Sequence, residues 1–207
     1  MAAVKEHPMH ALAAFLPDES FDKVVHYLHR YKVHLTVTRE RKSVLGDYRS
    51  AVHGKNHRIT VNSNLNKYAF LITLLHELAH LLTYEHHGHR VSAHGKEWKM
   101  IYGRMLADFV NHNIFPADIE AELKRSLTNP AAGSCAEEHL MRVLRRYDAE
   151  KENIMLVEEV PLNTLFVTKD GRVFRKGEKL RKRYRCTEVK TRLVYLFSAI
   201  YEVVPVK

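Results

Sequence analysis

Cysteine is nearly absent: the 207 residues hold only Cys135 and Cys186. Two thiols cannot build a four-thiolate zinc ribbon, and no Cys-x-x-Cys pair occurs. A single disulfide is one reading of them; two unrelated buried thiols in a reducing compartment is the plainer one. Long apolar runs are missing too. The longest stretch, Ala69 to Leu82, is broken by His76, Glu77 and His80, so it is too short and too polar at its centre to span a bilayer. The N-terminus lacks a basic start followed by an apolar run, so no export signal is expected. The expected location is therefore the cytoplasm, with association to the nucleoid open and no membrane partner. No internal repeat or low-complexity tract is visible. With 45% hydrophobic and 28% charged residues, what remains is an ordinary globular composition, long enough for one domain and a small module.

The net charge of +9 is unevenly spread. Residues 169–192 carry eleven Lys/Arg against three Asp/Glu, leaving 22 basic and 21 acidic residues in the rest of the chain. Nearly all the excess positive charge thus lies in 24 residues near the C-terminus. Such a cluster attracts polyanions through phosphate neutralisation and counterion release.

Pattern divides the chain further. Phe21, Val24, Val25 and Leu28 recur at helical spacing after Asp18 and Ser20, either of which suits an N-cap. VHLTVT (33–38) and RITV (58–61) read as strands. With turn signals at Gly46-Asp47 and Gly54-Lys55-Asn56, two or three strands in an antiparallel meander are expected. An apolar helix over 67–84 belongs in a core. A histidine-rich loop (85–93) follows, then a helix over 95–111 with Trp98, Ile101, Tyr102, Met105 and Phe109 on one face. Another helix is expected from Pro116 to Ser126. Asn129 to Ser134 reads as a linker and 137–148 as a charged helix. From Ile154 the chain turns to short β-like runs, with Asp170-Gly171 as a hairpin signal. The expected organisation is a domain over 1–128, a linker and helix over 129–150, and a small basic β-rich module over 151–207.

The chemistry sits at His76-Glu77-Leu78-Ala79-His80. Residues four apart on a helix are separated by about 40° and about 6 Å, so both imidazoles can reach one ion. Glu77 then lies where a general base for an activated water belongs. An accidental string in a core helix is the plainer alternative. It would bury unsatisfied imidazoles and a carboxylate at a cost of several kcal/mol, on the order of 2–7 per group. A third ligand is needed, and three candidates follow. His86 would require a sharp turn at Thr83, where that spacing normally has Gly. Glu97 lies at a glutamate-ligand distance but lacks the usual Asn-Glu start. His94 precedes Gly95 and opens a helix that can pack back on the first, and it is the strongest. His87 and His89 read as loop residues, with a weak second metal site as the alternative.

These residues resemble the SprT-like (Spartan-type) metalloprotease family, in which HExxH is followed by a loop and then His-Gly-x-x-Phe/Trp. The match here is His76 to His80 with His94-Gly95-Lys96-Glu97-Trp98, and a lead-in of Thr38 to Lys42, Leu45 to Arg49 and Arg58 to Asn62. The resemblance spans roughly residues 18–112. It implies an α+β zincin-like domain, Zn2+ held by His76, His80 and His94, and Glu77 as base. It also implies a protease acting on proteins bound or crosslinked to DNA. Many members end in a zinc ribbon, which two cysteines cannot supply, so the β-rich tail stands in its place.

In that tail Arg172, Arg175, Lys176, Arg181, Lys182, Arg183 and Arg185 are candidates for nucleic-acid contact. Alternation in a strand would give Arg181, Arg183 and Arg185 one basic stripe, with Phe174 and Tyr184 available for stacking. The alternative is a solvated sheet face with both rings in a small core. Contacts to the backbone, with little sequence preference, are the expectation. Two other functions stay open: a non-catalytic nucleic-acid-binding protein with structural zinc, and a zinc peptidase unrelated to DNA.

Overall fold

The computed structural model describes residues 9–41, 43–51, 55–133, 135, 137–149 and 153–206, in two units, Met1–Asp148 and Ala149–Lys207. Lys42, Gly54 and Ser134, named in the motifs above, lie outside the described residues.

The first unit opens with a short 3-10 helix (His10–Phe15) and α1 (Phe21–Arg30). Val24, Val25 and Leu28 of α1 are buried, as their spacing predicts. Ser20 occupies the N-cap, but its hydroxyl donates back to the Pro17 carbonyl at 2.7 Å instead of capping the helix. Then come β1 (His34–Thr38), β2 (Gly46–Arg49) and β3 (Arg58–Asn62). Their order is β1-β3-β2, with β1 parallel to β3 and β2 antiparallel to it. This corrects the expected meander, and Asn62 supplies the reason. Its Nδ2 donates to the carbonyls of Val44 at 2.9 Å and Arg41 at 3.3 Å, its Oδ1 accepts from Arg41 Nε at 2.9 Å, and its N–H donates to Leu45. The segment between β1 and β2 is thus tied to the end of β3, and β2 is delivered to the far edge.

The long helix α2 (Lys67–His87) is capped by Asn66, whose side chain accepts from the Ala69 N–H. Fourteen of its 21 residues are buried, which suits a helix apolar on all sides. It runs one turn further than the apolar pattern, so His86 and His87 lie on its last turn, not in a loop. The helices α3 (Lys96–Val110), α4 (Ala117–Ser126) and α5 (Glu138–Arg145) complete the unit. Leu140, Val143 and Leu144 of α5 join the same core as Trp98 and Phe109, so this helix belongs to the first unit and not to a connecting segment.

The second unit is a six-stranded antiparallel sheet of β4 (Met155–Leu156), β5 (Leu165–Val167), β6 (Val173–Lys179), β7 (Arg183–Glu188), β8 (Val194–Ser198) and β9 (Glu202–Pro205), ordered β4-β9-β5-β6-β7-β8. The Asp170-Gly171 turn joins β5 to β6, with Gly171 at φ +81°, a conformation that glycine adopts without strain. Phe166, Phe174, Val157, Val160, Cys186 and Val203 form its own core. Both cysteines are buried free thiols. Among the described residues no helix is long and apolar enough to cross a membrane.

Candidate metal centre

Helix α2 carries His76 and His80 one turn apart, and the segment entering α3 brings His94 to them. His80 Nε2 lies 3.2 Å and His94 Nε2 3.3 Å from His76 Nε2. Nitrogens bound tetrahedrally at the usual Zn–N distance of about 2.0–2.1 Å are about 3.3–3.4 Å apart, so the spacing fits one ion. Three lone pairs facing one point are otherwise poorly satisfied, and a cation resolves the conflict. Among the described residues the His76, His80 and His94 group is the only one with metal-ligand geometry. His86 is not in it. The helix continues through Thr83, whose hydroxyl donates to the Ala79 carbonyl at 2.7 Å, and no turn there brings His86 back. Nor are Glu97, His87 or His89 part of the group.

Burial, reinforced by the neighbouring imidazoles, lowers His76 to about 3 and His80 to about 4. His94 is lowered chiefly by burial and then by Lys99. All three are therefore neutral near pH 7, the state in which an imidazole offers a lone pair to a metal. Trp98, which the sequence places both on the apolar face of its helix and in the His-Gly-x-x-Trp motif, is buried against all three imidazoles. Its ring lies 4.7 Å from His76, 5.2 Å from His80 in a stacked arrangement, and 4.7 Å from His94. His76 Nδ1 is buried without a hydrogen-bond partner. Its orientation is held by rings, Trp98 and Tyr102, where metal-binding histidines usually rely on an outer hydrogen bond.

Glu77 is buried beneath β2. Burial foremost, then the Asp47 charge, pushes its carboxyl up to about 8, against the pull of Arg41 and a backbone hydrogen bond from Tyr48. The close approach of β2 depends on Gly46. A Cβ there would sit 2.7 Å from Glu77 Oε1 and 2.8 Å from Thr73 Cγ2. Gly46→Ala is accordingly expected to displace Glu77 or the strand, lowering by about 10²-fold any turnover in which this carboxylate takes part, since a shift near 1 Å can cost that much. Overpacking adds a stability loss of about 1–3 kcal/mol, measurable by denaturant unfolding. Unchanged turnover in that variant would show that Glu77 tolerates movement.

Tyr48, part of the lead-in segment, shares the inward face of β2 with Gly46. Its ring stacks on His80 at 6.5 Å and on His57 at 5.9 Å. His57 Nδ1 accepts from the Ala51 N–H at 3.2 Å and lies 3.0 Å from Tyr48 Oη, while its Nε2 faces Glu85 at 3.2 Å. Strand alternation from Gly46 was the available signal for Tyr48; His57 had none.

The three histidines, Glu77 and β2 line a cleft of about 950 Å³. A match to the family model described as SprT-like covers residues 10–119, more than half of the chain. The chain belongs to the SprT-like family. The matched span contains the three-histidine group, Glu77 and Gly46, and it ends before the second unit begins. Compared with curated proteins and with solved structures, the chain matches none.

In the second unit, beyond the span of the SprT-like match, the basic candidates separate. Arg183 and Arg185 are exposed on one face of β7, and the register sets Arg175 opposite Thr187 on that same face. Arg181 and Lys182 are exposed in the turn before β7, so the expected three-arginine stripe holds two of its members on the strand. Arg172 is exposed and pairs with Asp170 at 2.7 Å. Lys176 is a correction. It is buried, and its ammonium donates to the carbonyls of Glu158 and Val160, so it faces no phosphate. Phe174 is fully buried and Tyr184 lies under Lys176 at 4.4 Å, so these rings are not open platforms for bases.

Proposed function

We propose that this SprT-like chain is a zinc-dependent endopeptidase with a zincin-like core, working on proteins held at or near DNA. The observation that carries the peptidase reading is the convergence of three neutral imidazoles beside a buried carboxylate, at the floor of an open cleft. The donor set suits zinc: borderline nitrogen ligands, three in number, with no fourth His, Cys, Asp or Glu in the group among the described residues. A structural zinc would call for four, so the count favours catalysis over the structural alternative. Zinc held by His76, His80 and His94 would supply a Lewis acid that polarises a carbonyl and acidifies a water.

The protein's own part is positional. Glu77 takes the proton of the attacking water on a carboxylate oxygen and passes it to the departing amine. The Tyr48 N–H holds that carboxylate in place. A dication nearby favours its ionised form, reversing the effect of burial. Trp98 fixes the imidazoles from below. The edge strand β2 pairs with β3 alone among the described strands, leaving its other side for an extended chain. The test is whether Glu77→Gln separates zinc binding from cleavage.

The DNA part of the reading is supported by the exposed basic face of the second unit: Arg175, Arg183 and Arg185, with Arg172, Arg181 and Lys182. With Phe174 buried and Tyr184 covered by Lys176, binding on this face runs through phosphates and depends steeply on salt. Neutralising Arg181, Arg183 and Arg185 together is expected to flatten the log K against log [salt] slope for single-stranded DNA by about 2. An unchanged slope would turn the reading toward a peptidase with another partner.

A further inference from the structure

Two arginines of the cleft have no part in the chemistry at Glu77. Arg49, the last residue of β2, lies directly opposite Arg58, the first of β3, and both line the cleft. Opposed residues of an antiparallel pair share a face, and like charges placed so destabilise the ladder. The nearby carboxylates do little to relieve this. Asp47, on the same face, pairs with Arg49 at 2.9 Å, Glu85 faces His57, and Glu77 is buried. Arg58 is exposed and has no acidic partner among the described residues. One guanidinium of the pair is thus left for an anion from outside.

Its place in the cleft indicates which anion. Strand β2 starts against Glu77 at Gly46 and reaches Arg49 three residues later, about 10 Å away at strand rise. A polypeptide extended along this open edge, with its reacting carbonyl at Glu77, sets a side chain about three residues away opposite Arg49. We infer that Arg49 and Arg58 form a subsite for a carboxylate side chain of the substrate, Asp or Glu, about three residues from the cleaved bond. Arginine suits the task because its planar fork binds a carboxylate through two hydrogen bonds. This inference rests on the peptidase reading.

The experiment uses one peptide sequence with Glu, Gln or Lys at the third residue on either side of the cleaved bond. Zinc-loaded wild type is expected to cleave the Glu peptide about tenfold faster in kcat/KM than the Lys peptide at low salt, the margin shrinking as salt is added. The margin is expected to vanish in Arg58→Gln and to invert in Arg58→Glu. The same peptides are bound to full-length Glu77→Gln protein with and without Arg58→Gln, read by fluorescence anisotropy. If wild type cleaves none of them but binding still prefers Glu through Arg58, the peptidase reading falls and the subsite stands. Equal cleavage or binding of all three peptides overturns the subsite. So does an Arg58→Gln variant that loses single-stranded DNA affinity while keeping the Glu preference, which would assign the pair to phosphate.

Discussion

Glu77→Gln is expected to retain one zinc per chain while lowering cleavage of an unfolded protein by about 10²–10⁴-fold, the usual contribution of a positioned general base. The amide is nearly isosteric, so it keeps the space beneath Gly46 and the hydrogen bond from Tyr48, and it leaves the three imidazoles untouched. What it removes is the proton acceptor. Metal content by elemental analysis, with single-turnover cleavage of a denatured substrate, separates the two effects. Retained cleavage would sink the mechanism. Loss of zinc together with activity would mean that Glu77 shapes the ligands and does not serve as the base. The zinc-free protein offers a second readout. With its carboxyl pushed up to about 8, folded Glu77 holds a proton that the unfolded chain has released, so stability falls as pH rises from the ordinary glutamate value of 4.5 to about 8. His76 and His80, lowered to about 3 and 4, act in the opposite sense below 6.5, where the unfolded chain binds the extra protons. Above neutrality only Glu77 contributes among these three. The zinc-free wild type is therefore expected to lose about 1 kcal/mol between pH 7 and 8, and Glu77→Gln to lose none of it.

The centre of the site was legible because its residues contradict their surroundings. His76, Glu77 and His80 interrupt a helix that is otherwise apolar on every side, and such groups need partners wherever they are buried. His94 was legible through Gly-x-x-Trp, and the contacts of Trp98 explain the motif: one helical turn after His94, the indole reaches all three imidazoles. Strand order was not legible, because side-chain hydrogen bonds from a single residue, Asn62, carry β2 past β3, and periodicity carries no trace of them. Lys176 was misread although a signal existed. It stands two residues from Phe174 on the same strand, which puts both on the inner face; local charge density hid the alternation. The Arg49 and Arg58 pair needed the register between β2 and β3, which no local pattern supplies.

His94→Ala is expected to weaken zinc binding by about a hundredfold or more, exceeding the effect of losing an outer-shell partner, and to abolish cleavage at limiting zinc. The fold should survive the change. His94 is only partly buried and lies ahead of α3, whose own anchors, Trp98, Leu106 and Phe109, remain in the core. His86→Ala is the matched control. Six residues beyond His80 on an unbroken helix, His86 is rotated by about 240° around the axis from it and points elsewhere. It should keep both metal and activity. Competition against a chromophoric chelator measures the affinities, and excess zinc distinguishes a weakened site from a destroyed one. If His86→Ala lost the metal and His94→Ala kept it, the ligand set would have to be redrawn around the end of α2. The present geometry forbids that while Thr83 stays helical. Two imidazoles on one helix turn bind zinc weakly by themselves; the third, arriving from the entrance of α3, ties the metal to the packing of α2 against α3. Zinc removal is then expected to loosen the segment between these helices before it loosens either helix.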